Sequence, residues 1–281
     1  MAQAGEKPAV SPKVFPTPIE ASDAFIEAAR KGDTGALVAV FGDQYESLME
    51  TAEPARDKEL RAKVAAMAME RRRFRFKDAD TVTMVIGAEA WPFPIPLVKA
   101  DTGWRFDPES GFDEILKRRI GENELTTLKS MRAFVKAQQE YAAVPHDGGK
   151  VRQYAAKFIS SPGKQDGLHW PADPKAGGSP SPAGDGITGT DKPHNGYLFK
   201  ILTAQGEAAP GGKYDYRING HLIGGFALIA WPADYGKTGV MSFIVNQYGE
   251  VFERDLGKDT AKIASDTIEY NPTSEWKQAT D

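Results

Sequence analysis

Four histidines, His146, His169, His194 and His221, and the aspartates scattered through one glycine- and proline-rich stretch are the residues whose types could do chemistry. The histidines are not spaced as a helical i, i+4 zinc pair. His169, Asp166, Asp173, Asp185, Asp191 and His194 make a metal site only if their stretch folds back on itself; otherwise they belong to a solvated loop. The carboxylates Asp166, Asp185 and Asp191 are oxygen donors of the kind calcium takes, without the spacing of an EF-hand. Calcium is thus the one cofactor the chain suggests. A second set is aromatic: Trp91, Phe93, Trp170, Tyr197 and Trp231 are either core or, in part, the lining of a cleft for a sugar or peptide.

Nucleophilic chemistry has little to start from. The chain has no cysteine, which excludes thiol nucleophiles, disulfides and cysteine-ligated metal. A Gly-x-Ser-x-Gly elbow and a phosphate-cradling P-loop are both missing. Two carboxylates converging in space for glycoside hydrolysis leave no mark on spacing, so that reading stays open. With a net charge of −4, there is no basic domain to point to nucleic acid. No apolar run is long enough to insert in a membrane. The cluster Arg71-Arg72-Arg73 with Arg75 and Lys77 is expected to close a helix, its cations facing the helix dipole.

The 281 residues, 41% hydrophobic and 26% charged, suffice for two domains. Residues 1–16, with three prolines, are expected to be a flexible arm. Ala2-Gln3-Ala4 has the small-x-small pattern of a signal-peptidase cut, as an export signal already removed would leave. Thr17-Pro18-Ile19-Glu20 predicts a capped helix to about Arg30, Asp33 caps a second, and a third runs from about Arg56 to Arg73. Thr81–Ile86 is a strand. Trp91–Val98, with three alternate prolines, is an edge strand or an extended covering segment, and Trp104-Arg105-Phe106 returns. Phe112–Ala143 predicts a long helix, open to a break at Gly121, and charges at Arg118, Arg119, Glu122 and Glu124 are expected to form a structural clasp between the domains.

After the excursion 162–195 comes an antiparallel meander, 196–254, then a polar tail with Trp276 folded back. Phe226–Trp231 and Val240–Val245 are too apolar for a strand with one wet face, so both faces should be covered.

The helices followed by strand-turn-strand over residues 17–110 resemble the small cone-shaped domains of the NTF2-like type. Over nearly its full length the chain resembles a secreted Gram-negative family of unknown function, the DUF 2950 family. The likeness rests on Trp91-Pro92-Phe93-Pro94-Ile95-Pro96-Leu97, Arg118 to Leu125, Asp166-Gly167-Leu168-His169-Trp170-Pro171, and Gly224-Gly225-Phe226-Ala227 through Asn246. This resemblance implies export to the periplasm and no particular activity. Asn123 to Tyr141, with Gly196-Tyr197-Leu198-Phe199, Ala230-Trp231-Pro232 and Thr238 to Phe243, is also similar to the helix and sheet of type IV pilin and pseudopilin heads. Unlike a pilin, the chain carries a whole α+β domain before that helix.

The expected fold is therefore α+β: an arm (1–16), an NTF2-like domain (17–111) and a pilin-like domain (112–281). The expected function is a periplasmic, non-enzymatic structural or interaction module with an envelope protein as partner. The alternative is a sugar- or peptide-binding protein or hydrolase whose site joins Trp91–Leu97 to Asp166–Asn195, with Trp91, Phe93, His169, Trp170 and His194 as ligand contacts.

Overall fold

A computed structural model describes residues 10–43, 53–171, 181–183 and 192–280. Ala2-Gln3-Ala4, Asp173, Asp185 and Asp191 lie outside the described residues. The chain forms two units, residues 1–118 and 119–281.

The first unit opens where the capping chemistry predicts. Helix α1 (Pro18–Lys31) starts with Thr17 Oγ1 accepting the Glu20 N–H at 3.2 Å, and Gly32, at φ 67°, ends it. Asp33 caps α2 (Thr34–Phe41) through the Ala36 N–H at 3.0 Å. The chain is fastened before α1, because Phe15 is buried and exchanges backbone hydrogen bonds with Trp104.

Helix α3 (Pro54–Glu70) stops short of the arginine cluster, and Arg72–Phe76 is strand β1. The expected helix end is thus corrected. Phe74 and Phe76 alternate with Arg73 and Arg75 in period two, and an alternating pattern buries one face only as a strand. Strand β2 (Thr81–Ile86) pairs with β1 on one side. Its other side takes both β3 (Trp91–Pro92) and β4 (Leu97–Ala100), and β5 (Gly103–Phe106) follows β4. Pro94 and Pro96 fall between β3 and β4, where no ladder hydrogen bond is needed, so β4 lies inside the sheet and only β3 is peripheral. Against this sheet α1 and α2 bury Phe25, Phe41, Phe93 and Phe106, whose rings meet at centroid distances of 4.8 to 6.4 Å.

Helix α4 runs unbroken from Pro108–Tyr141, straight through Gly121, and the boundary between the units falls within it. In the second unit the sheet is antiparallel, in the order β14-β13-β12-β11-β6. Its strands are β6 (Tyr197–Leu202), β11 (Ala227–Pro232), β12 (Met241–Asn246), β13 (Val251–Asp255) and β14 (Lys277–Gln278). Between β6 and β11 the expected meander is interrupted by short ladders. In these, β7 (Ala204–Gln205) pairs with β8 (Tyr214–Asp215), and β9 (Arg217–Ile218) with β10 (His221–Leu222).

The register places Phe199, Ala230, Phe243 and Glu253 on one face, and Lys200, Ile229, Ile244 and Phe252 on the other. All of β11 is buried, as its composition requires. The expected polar tail contains helix α5 (Thr260–Asp266), which Lys200 Nζ ties to the second face through Ser265 O and Thr267 O at 2.6 and 2.8 Å.

Besides the apolar core that α4 shares with the sheet, polar contacts join the two. Glu124 Oε1 accepts the N–H groups of Val240 (2.9 Å) and Met241 (3.0 Å), Asn123 Nδ2 donates to Thr238 O (2.7 Å), and Tyr197 Oη donates to Met241 O (2.8 Å). Of the charges expected to form a clasp, Arg118 pairs with Glu114 and Glu124 accepts from a strand. Two glycines make room. A Cβ on Gly196 would press on Asn123 Nδ2 and Thr238, and one on Gly239 would overlap the Tyr197 phenol. Replacing Glu124 by Ala should cost about 1–3 kcal/mol, the penalty for orphaned buried donors. Glu124→Gln, which keeps a carbonyl acceptor, should retain most of that. Hydrogen exchange of the β11 and β12 amides measures both.

Candidate functional site

At the C-terminal end of α4 the second unit has a recess of about 180 Å³. Tyr141, His146, Asp147, Tyr154, Asp166 and Arg217 supply its chemistry, with Gln153 behind them. The elements that position them are legible one by one. Tyr141 is the last residue of α4, and its phenol donates to Gln165 O at 2.7 Å. The chain turns after the helix end, so that the His146 ring comes back to stack on Tyr141 at 3.9 Å between centroids, and turns again at Asp147 and Gly148, both at positive φ. His146 Nε2 donates to Tyr141 O at 2.8 Å and Nδ1 faces Gln165 Oε1 at 3.3 Å. Trp170 closes the back of this stack, 5.7 Å from His146 and 6.4 Å from Tyr141.

On the opposite wall Gln138, wholly buried in α4, exchanges two hydrogen bonds of 2.8 Å with the backbone of Ala155. That fixes the extended segment bearing Gln153 and Tyr154. Gln153 Oε1 in turn meets His221 Nδ1 at 3.0 Å, and Tyr154 lies edge-on to Phe226.

Asp166 is held by three donors: Lys157 Nζ (2.5 Å) and Ser161 Oγ (3.0 Å) on Oδ2, and the Ser161 N–H (2.7 Å) on Oδ1. The Lys157 ammonium, then the Ser161 N–H, keep its carboxyl down at about 2. Tyr141 moves the other way, pushed up to about 12 by burial and then by the charges of Asp147 and Asp166.

The residues singled out by sequence are dispersed. Asp166 lines the recess and Trp170 backs it. His169, although between them in sequence, meets Ala183 O and Ser181 Oγ at 3.2 and 3.4 Å. His194 sits at the start of β6, its ring 6.5 Å from Phe199. Trp91 and Phe93 belong to the first unit. There Phe93 is buried in the aromatic core, and the Arg118 guanidinium covers Trp91 at 4.7 Å while donating to Pro92 O. Of the suggested calcium donors only Asp166 is among the described residues, and it already faces an ammonium. Among the described residues no three His, Asp or Glu side chains are placed to hold a metal ion.

A second, larger cavity of about 450 Å³ lies on the α5 face of the sheet. Ile244, Leu256, Ile263, Ile268 and Trp276 give it an apolar lining, and the ion pairs Lys213–Glu269 (3.3 Å) and Arg254–Glu275 (2.8 Å) flank it. Sequence reasoning missed both cavities. The one local signal for the first was the turn Pro145-His146-Asp147-Gly148-Gly149 directly after a helix.

These features define an α+β protein in which a long helix is clamped onto an antiparallel sheet and a small polar recess forms at the helix end. The chain belongs to the family described as Protein of unknown function (DUF2950), which matches residues 12–279. No curated protein and no solved structure matches it. Among the described residues no helix is long and apolar enough to cross a membrane.

Asp166 gives a pH-dependent prediction. Its folded pKa lies below the ordinary carboxylate value, so the stabilisation is present above about 4 and is lost as pH falls toward 2. Screened by solvent, it should amount to about 1 kcal/mol. Asp166→Asn should therefore lower the unfolding free energy by about that much at pH 7, and the difference should vanish near pH 2. Denaturant titrations at the two pH values test it.

Proposed function

We propose that this protein is an exported, non-catalytic binding module of the bacterial periplasm, and that the recess receives one side chain of an envelope protein partner. The family resemblance supports export, and the order of helix, excursion and antiparallel meander supports a pilin-like reading of the second unit. The observation that carries the binding reading is that the polar side chains of the recess are pinned by their neighbours, the Tyr141 phenol on Gln165 O and the Asp166 carboxylate on Lys157 and Ser161. A general acid or base works best when its pKa lies near the working pH. Asp166, at about 2, and Tyr141, at about 12, both hold one protonation state across the neutral range. The volume is also small. At about 180 Å³ it is below the range of roughly 300–1,000 Å³ usual for drug-sized ligands, and it suits a single anchoring side chain.

The chemistry favours a cationic anchor. Asp147 supplies the negative charge, Asp166 being already paired with Lys157, and the ring of Tyr154 offers an aromatic surface to a guanidinium or ammonium group. Titration of the ¹⁵N-labelled full chain with N-acetylarginine amide should shift the amides of Gln153, Tyr154 and Gly220 with a dissociation constant in the millimolar range. N-acetylglutamate amide should not, and Asp147→Asn should weaken the arginine response several-fold. The same shifts from both probes, or none from either, would overturn the reading.

A further inference from the structure

We propose that the free edge of strand β1 takes an extended segment of a partner protein as an added strand, one whose side chains alternate between acidic and apolar. No residue of the recess takes part. In an antiparallel pair, successive residues turn their backbone groups alternately toward the neighbouring strand and away from it. The Lys77 N–H donates to Thr81 O and the Gly87 N–H to Arg71 O, both at 2.9 Å, so the odd-numbered residues of β1 face β2. Arg72, Phe74 and Phe76 therefore aim their N–H and C=O groups outward, and β1 is the terminal strand of its sheet. Among the described residues none of these outward groups has a backbone partner. Arg73, Arg75 and Phe76 are all exposed, so the edge is open to an incoming chain.

The side chains of β1 decide what can pair there. Arg73 and Arg75 stand on one side of the sheet, Phe74 and Phe76 on the other. On the arginine side Val85, opposite Arg73, is buried, so it is the edge and not that face that is open. Among the described residues neither arginine has an ion-pair partner, whereas Arg72, on the phenylalanine side, is neutralised by Asp23 at 2.6 Å. Phe74 is half-buried there, and Phe76 is 61% exposed and edge-on to Trp104 at 6.3 Å. A residue of an added strand lies on the same side of the sheet as the residue it opposes, and side chains come closest in the pairs that exchange no hydrogen bonds. The positions opposite Arg73 and Arg75 are of that closer kind, so they favour Asp or Glu. Those opposite Phe74 and Phe76 favour apolar side chains. A second copy of β1 fails this requirement. Paired antiparallel with Phe74 opposite Phe74, it sets Arg73 of each copy against Arg75 of the other, and like charges so placed repel.

Fluorescence anisotropy and hydrogen exchange of the full chain with the labelled, end-capped peptide Gly-Val-Glu-Val-Glu-Val-Gly test this. The peptide should bind, more weakly as salt rises, and should slow exchange of the Phe74 and Phe76 amides. Its counterpart with Lys for Glu should not bind, nor should the isomer Gly-Val-Val-Val-Glu-Glu-Gly, which has the same charge without the alternation. Arg73→Glu with Arg75→Glu should cut affinity for the Glu peptide on the order of tenfold and confer binding of the Lys peptide. Phe76→Pro, which removes an outward N–H, should weaken binding several-fold relative to Phe76→Thr, which keeps it. These side chains are exposed, so melting temperatures should stay close to that of the wild type. No binding of the Glu peptide at low salt, equal binding of the isomer, or binding that leaves the Phe74 and Phe76 amides unslowed would overturn the proposal.

Discussion

The second unit depends on one carboxylate facing the wrong way for a surface charge. Glu124 sits on the buried side of α4 and accepts two consecutive backbone N–H groups at the entry to β12. Hydrophobic contact between α4 and the sheet is strong and non-directional, so alone it would permit the helix to slide along its axis. Two N–H groups converging on one oxygen allow a single register. Asn123, 1% exposed, holds the preceding carbonyl, and the Tyr197 phenol holds the following one. Burial, and then the charges of Glu124 and Glu253, hold that phenol far above its ordinary pKa, so it stays a donor. The same crowding raises Glu253, first through desolvation and then through Glu124, with Lys277 opposing.

Gln138 repeats the device almost four turns along the helix. Its amide takes both hydrogen-bonding groups of Ala155, one as donor and one as acceptor, a pairing that only a carboxamide at that depth can satisfy at both ends. α4 thus carries two buried polar clamps, one on the sheet and one on the segment leading into the recess. Tyr141 follows Gln138 by one turn, so the position of the recess is set by the same helix that sets the sheet. This accounts for a small polar cavity keeping its shape although it is lined from five separate stretches of chain.

Which parts of this were legible in the sequence follows from the range of the forces involved. Thr17, Glu20 and Asp33 act within three residues of themselves, and their caps could be read directly. The density of apolar residues in β11 required two covered faces, and it has them. Strand β1 was hidden because no glycine or proline separates Glu70 from Arg72, and the arginines themselves suit a helix end as well as an edge strand. Its alternation with phenylalanine was the better guide. Helix α5 was hidden by brevity, since seven residues hold no full amphipathic repeat. The roles of Glu124 and Gln138 could not be read at all: a glutamate and a glutamine on a helix look like solvated surface until the partner strand, more than a hundred residues away in the first case, is in place.

The two units put their aromatic residues to different use, and this bears on where function resides. In the first, Phe25, Phe41, Phe93 and Phe106 pack ring against ring between helices and sheet, filling the interior with matched apolar surface. The Trp91 ring lies under Arg118. In the second, Phe134, Phe226, Tyr197 and Phe243 fill the core in the same way, while Tyr141, His146 and Tyr154 are set around a space, each held at its polar end or against a neighbouring ring.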